Sequence, residues 1–165
     1  MYFQKFPVTL YTLDDASTVQ LIRNFLIRFS LSDEIKNNYV FYDEYDIRDG
    51  ETPEILAYKF YNNSQLHWVI LQANDILDPR FEWCLAYNDL IKYSEGKYNN
   101  INSTHHYVNS DGLIVNSTAS GAVAVTNLQY EIEENEKRRR IKVIKPQYIE
   151  SLLREFNNKL EIINV

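Results

Sequence analysis

Apolar residues recur along this chain with two different periods, and the changes of period mark its elements. Leu66, Val69, Ile70 and Ala73 fall at i, i+3, i+4 and i+7, the spacing of one buried helix face, and Asn74 closes the run. Leu56 and Phe60, one turn apart, predict a preceding helix, which Asn62-Asn63-Ser64 interrupts. Thr52 offers this helix an N-cap, and Pro53 suits its first position, where a missing N–H is no loss. Glu54 sits in the first turn, where the helix dipole favours an anion. Upstream, Tyr39 to Ile47 is rich in aromatic and β-branched residues and predicts a strand. Asp49-Gly50 then turns the chain sharply, because glycine tolerates positive φ and aspartate can bond its own backbone.

The flanks follow the same logic. Residues 1–15 predict an extended arm with Tyr2, Phe3, Phe6, Val8, Leu10 and Tyr11 as apolar points around Pro7. Asp15 or Ser17 could cap a helix carrying Val19, Ile22, Phe25, Leu26 and Phe29 on one face. Ala86 to Glu95 predicts a further helix, and the polar break Asn99 to Ser103 follows it. Tyr107-Val108 and Leu113-Ile114-Val115 flank Asn109-Ser-Asp-Gly112, a hairpin signal, and Ser117 to Ala122 reads as a loop. Over residues 128–138 two readings stay open: Leu128, Tyr130 and Ile132 alternate as in a strand, whereas Glu131, Glu134 and Arg138 could pair along a helix. Ile141 to Ile144 predicts a strand. Pro146 opens a final helix with Ile149, Leu152, Leu153, Phe156 and Leu160 on one face. The class is α+β, with expected divisions at residues 1–38, 39–98 and 99–165.

Composition narrows the function classes. With 165 residues, 45% hydrophobic content and only four glycines and four prolines, the chain can bury a sizeable core and is no disordered or fibrous sequence. Its net charge of −6 opposes nonspecific attraction to nucleic acid, which depends on cationic contacts to phosphates. The single cysteine, Cys84, cannot form an internal disulfide, so folding needs no oxidising compartment. No run has the length of a signal peptide's apolar segment or of a membrane span, and synthesis in the cytosol is expected. Thirteen tyrosines are compatible with a packed core and with an interface, where tyrosine supplies rigid area with a polar tip.

Candidate chemistry is sparse. His105 and His106 would point to opposite faces of a strand, so they do not readily share a metal ion, and zinc sites want three or four convergent ligands. His67, between Leu66 and Trp68, reads as a packed, hydrogen-bonded residue. Cys84 lacks a Cys-x-x-Cys partner and reads as a buried, inert thiol. Asp43, Asp46, Asp49 and Gly50 fail the calcium-loop spacing, because Tyr45 and Ile47 occupy ligand positions. No nucleophile elbow, P-loop or dinucleotide fingerprint occurs, and no paired carboxylate motif suggests a hydrolase. No catalytic residue, metal or cofactor is therefore expected. The stretch Glu131 to Arg140, acidic and then basic, reads as a solvated element or as a docking surface, where arginine forks favour interfaces.

The run YDIRDGETPEILAYKFYNNSQLHWVILQAN, Tyr45 to Asn74, resembles the front of a LysM module, a small β-α-α-β unit that binds N-acetylglucosamine glycans. That resemblance implies a candidate groove at Gly50, Glu51, Thr52, Pro53, Asn74, Asp75 and Ile76; the usual closing strand is not visible after Asn74. A longer resemblance covers roughly Thr18 to Phe156. NDILDPRFEWCLAYNDLIKYSEGKY, the segment His105 to Gly112, and YEIEENEKRRRIKVIKPQYIESLLREF occur in the order seen in the tail baseplate wedge protein 53 family of T-even-type contractile phages. It implies a non-enzymatic structural subunit of the virion's tail baseplate with a LysM-like core, assembled in the host cytoplasm. The implied partners are wedge-core subunits, the sheath-initiator subunit and neighbouring wedges, with no nucleic acid, membrane or cofactor. A glycan-binding LysM module is the alternative. On the baseplate reading Tyr2, Phe3, Phe6 and Tyr11 of the arm and Arg138, Arg139 and Arg140 are the candidate partner interface.

Overall fold

A computed structural model of the chain describes residues 6–12, 19–24 and 30–163, the last three without their side chains. In chain order the elements are β1 (Val8–Tyr11), β2 (Gln20–Arg23), α1 (Asp33–Asn37), β3 (Tyr42–Asp46), α2 (Pro53–Tyr61), a 3-10 turn (Ser64–Leu66) and α3 (His67–Ala73). There follow α4 (Pro79–Glu82), α5 (Tyr87–Lys97), β4 (Thr104–Val108), β5 (Ile114–Val115), β6 (Val123–Thr126), α6 (Asn127–Lys137), β7 (Arg140–Ile144) and α7 (Pro146–Ile163). The class is α+β. The elements form two compact units, the first comprising the described residues up to Glu44, Thr52–Leu77 and those from Lys142 onward. The second comprises Tyr45–Glu51 and Asp78–Ile141.

In the first unit, the helical spacing of the sequence becomes an apolar core. Trp68, Val69 and Ala73 of α3 meet Ile149, Leu152, Phe156 and Leu160 of α7, with Ile144, Leu31 and Phe6 completing the cluster. The Trp68 and Phe156 rings lie 4.9 Å apart, tilted by 38°. Leu56, Ala57 and Ile70 are fully buried as well. Thr52 caps α2 by accepting from the Ile55 N–H at 3.4 Å, Pro53 takes its first position, and Asn62 ends it at φ 53°. The partner of β3 is not the segment after Asn74. It is β7, some seventy residues further on, in a two-stranded sheet. Lys145 N–H donates to Phe41 O at 2.9 Å beyond one end and Ile47 N–H to Arg139 O at 2.9 Å beyond the other, so the strands run antiparallel.

The N-terminal lead corrects one expectation. Gln20–Arg23 is not part of a helix from Val19 to Phe29 but a strand, paired antiparallel with β1 in the register Val8↔Arg23, Thr9↔Ile22, Leu10↔Leu21 and Tyr11↔Gln20. The apolar residues there fit a period of two on β2 as well as they fit a helix, and pairing with β1 decides the matter. Phe25 to Phe29 lies outside the described residues; among the described residues of this lead the helix is the short α1.

The second unit is a three-stranded antiparallel sheet, ordered β5-β4-β6, with α5 packed on α6. The β4–β5 turn forms as its sequence predicts: Asn109 Oδ1 accepts from the N–H groups of Asp111 and Leu113, and Gly112 turns at φ 77°. Of the span 128–138 left open by the sequence, all but Arg138, the C-cap, lies in α6, which Thr126 and Gln129 open with a reciprocal capping box. Of the five buried polar or charged side chains among the described residues, four lie in this unit: Ser94, Asn127, Glu131 and Asn135.

Candidate functional site

The groove positions suggested by the sequence lie in two loops, and their polar groups are engaged with other parts of the chain. In the first unit, Asn74 Nδ2 donates to Ile70 O at 2.9 Å and to Lys142 O at 2.8 Å, while its Oδ1 accepts from Lys142 N–H at 2.7 Å. The side chain thus ends α3 and grips β7 as a paired strand residue would. Asp75 follows at φ 56° and forms an ion pair with the buried Lys36, whose carbonyl accepts from Lys142 Nζ at 2.7 Å. Ile76 N–H donates to Leu71 O, Thr52 is the cap already described, and Pro53 is buried.

In the second unit, Gly50 turns at φ 78°, and Glu51 folds back over the turn. Its carboxylate accepts from Tyr45 Oη at 2.7 Å and from Arg48 N–H at 2.9 Å, and its carbonyl accepts from Trp83 Nε1 at 2.9 Å. Trp83 thereby satisfies its polar atom while its ring stays buried. Asp49 accepts from Tyr87 N–H at 2.8 Å, so the aspartates of the false calcium pattern also have structural partners: Arg140 for Asp46 and Lys145 for Asp43.

The arginine cluster is similarly engaged. Arg138 donates to Phe81 O at 2.8 Å, and Arg139 forks onto Glu136 through two bonds of 2.7 Å while donating to Ile47 O. Arg140 forks onto Asp46 at 2.9 and 3.2 Å. Their hydrogen bonds hold the Glu136 and Asp46 carboxyls below the usual carboxylate range. Of the arm residues, Phe6 is buried in the first unit's core and Tyr11 is exposed; Tyr2 and Phe3 lie outside the described residues.

The histidines revise a second expectation. A bulge in β4 puts His105 out of register, with Thr104 opposite Thr126 and His106 opposite Val125, so both rings lie on one side. Their Nδ1 atoms are 2.8 Å apart, and both rings meet Tyr130, His105 stacked at 4.0 Å and His106 edge-on at 5.9 Å. Among the described residues no group of three or more His, Cys, Asp or Glu side chains could hold a metal ion. His67 donates through Nδ1 to Ser64 O at 3.0 Å, and Cys84 is buried, with burial pushing its thiol pKa up. Below Tyr98 and Lys97, Glu131 Oε1 accepts from both at 2.7 Å. Burial alone would raise the Glu131 pKa, but these two donors outweigh it and leave it lowered.

The described residues thus present surfaces and internal joints, and the comparisons match that picture. A family model described as base plate wedge protein 53 matches residues 11–120. The chain belongs to that family. Baseplate wedge protein gp53 of Enterobacteria phage T4 is 29% identical to it over 142 residues, covering 71% of this chain and 72% of the phage protein. As a member of the base plate wedge protein 53 family it is a structural subunit of a phage tail baseplate and is located in the virion. What the sequence reading missed within this family member is the exposed aliphatic face of the β1–β2 hairpin. Its signal was the period-two alternation of Val8 and Leu10 and of Val19 and Leu21.

Proposed function

We propose that the chain is a non-enzymatic joint of the baseplate wedge, binding wedge-core subunits, the sheath-initiator subunit and adjacent wedges through its surface. The observation that carries this reading is the engagement of candidate polar groups with the chain itself. Asn74, Glu51 and Arg138 to Arg140 all hold backbone or ion-pair partners within their own unit. A catalytic or sugar-binding group needs a free donor, acceptor or base aimed at a ligand. On this reading the LysM-like segment, with β7 in the place of the closing strand, serves as a packing scaffold. The partner interface uses the arm and those edges of Arg138 and Arg140 that face solvent.

Wedge reconstitution tests it. The purified chain should enter wedges assembled without their own copy, show no saturable binding of N-acetylglucosamine oligomers, and release nothing from peptidoglycan. Micromolar glycan binding lost in Asn74→Ala, with folding retained, would restore a LysM-type activity. Turnover abolished by a single carboxylate substitution would overturn the non-enzymatic reading.

A further inference from the structure

The β1–β2 hairpin carries apolar side chains where a water-soluble chain has no internal use for them. All eight residues of its two strands are exposed. The register sorts them by face: Val8, Leu10 and Leu21, joined by Val19 at the same parity and with Arg23 opposite Val8 at the root, lie on one face, and Thr9, Tyr11, Gln20 and Ile22 on the other. The aliphatic face is the more exposed one, with Val8 and Val19 57% and Leu10 and Leu21 70% exposed, against 48% for Tyr11 and 38% for Ile22 on the other. The root of the hairpin is fixed: Phe6 and Pro7 are buried, Asn24 N–H donates to Pro7 O at 2.8 Å, and Arg23 donates to Phe6 O at 3.0 Å. An anchored base and a solvent-facing aliphatic blade together describe a presented element. Among the described residues no third strand joins the pair, and a two-stranded ribbon is at best marginally stable in water by itself.

We infer that this aliphatic face is a docking surface, enclosed by an apolar groove on a neighbouring baseplate subunit; the inference rests on the wedge assignment. Three arguments select that occupant. Natural edge strands are normally guarded by lysine or proline, and neither residue occurs in β1 or β2. The only charge is Arg23, at the root of the face with its guanidinium bonded to Phe6 O, so the face offers an anionic lipid surface or a charged partner a single cation beside four aliphatic side chains. Four-residue strands of ~13 Å side by side offer a face far smaller than the ~800 Å² per partner of a stable interface, so face-to-face pairing of two copies would fall short. A groove that covers the blade and its edges can bury more.

The test pairs two double variants of the full chain in wedge reconstitution. Leu10→Glu with Leu21→Glu should melt like the wild type, stay monomeric, and enter wedges at least about tenfold less well, the factor that 1.4 kcal/mol of lost contact gives. Thr9→Glu with Gln20→Glu, on the opposite face that carries Tyr11, should enter clearly better than the aliphatic-face variant. Should the first variant fold poorly, Leu10→Ser with Leu21→Ser replaces it. Hydrogen exchange at residues 8–11 and 20–23 of the wild type should then slow on assembly. Normal entry of the aliphatic-face variant, equal loss from both faces, or unchanged exchange would overturn the inference while leaving the wedge assignment standing. A wild-type dimer dissociated by Leu10→Glu/Leu21→Glu, or binding to phosphatidylglycerol vesicles lost in that variant, would replace the proposed occupant and equally overturn it. Failure of the wild type to enter any wedge would strike the assignment itself.

Discussion

The two units are held together by different means. The first is fixed by apolar volume: Phe156, Leu56, Val69, Ile70 and Ile144 are all essentially inaccessible, and their only requirement is shape. The second has fewer buried apolar residues and is fixed by polar side chains that bond named backbone groups. Asn135 exchanges two hydrogen bonds with Leu85, fifty residues away, accepting from its N–H at 2.8 Å and donating to its carbonyl at 3.0 Å. Asn127 donates to Asn100 O at 2.9 Å, and Glu131 collects Lys97 and Tyr98. Apolar packing tolerates substitution by volume, whereas a buried polar joint specifies one arrangement and is costly when half broken.

Substitutions can break or sharpen this contrast. The largest effect should come from Phe156→Ala, which empties part of the first unit's core; denaturant unfolding should show a loss of roughly 3–5 kcal/mol. Asn135→Ala should cost less, about 1–3 kcal/mol, because it leaves the Leu85 N–H and carbonyl without partners, and amide exchange at Leu85 should accelerate. Were Asn135→Ala harmless, the second unit would not depend on its polar joints. Thr126→Ala removes the capping box of α6 and should cost ~1 kcal/mol in the same unfolding measurement.

The smallest effect concerns Glu131. Its folded pKa is lowered, so its contribution is present above the ordinary carboxylate range and is lost as pH falls through the folded value. Lys97, its ion-pair partner, is 43% exposed, which weakens the pair by solvent screening. Glu131→Gln should therefore flatten the acid side of the stability profile modestly. A profile unchanged below pH 5 would show that the pair contributes nothing measurable.

What the sequence revealed follows from the range of the interactions involved. The two central helices, their Thr52 cap, the Asn109–Gly112 turn and the face of α7 depend on residues within a few positions, and each was readable. The pairing of β3 with β7, the grip of Asn74 on Lys142 and the bond of Trp83 to Glu51 join positions far apart, and no local pattern announces them. Residues 128–138 were ambiguous by period, and the helix that covers them up to Lys137 starts from a cap pair at Thr126 and Gln129. Val19 to Arg23 misled because its few apolar residues satisfy a helical and a strand period alike, and only its neighbour β1 separates the two. His105 and His106 misled because a bulge breaks the alternation on which the opposite-face expectation rests. The groove and interface residues were legible as positions, while their bonding partners were not.

Electron cryo-microscopy of baseplates assembled with this chain tests the account most directly. It predicts a copy of the chain in each wedge, with Val8, Leu10, Val19 and Leu21 covered by another subunit and the loops at Gly50–Pro53 and Asn74–Ile76 bonded internally. Complete baseplates that lack the chain would contradict it.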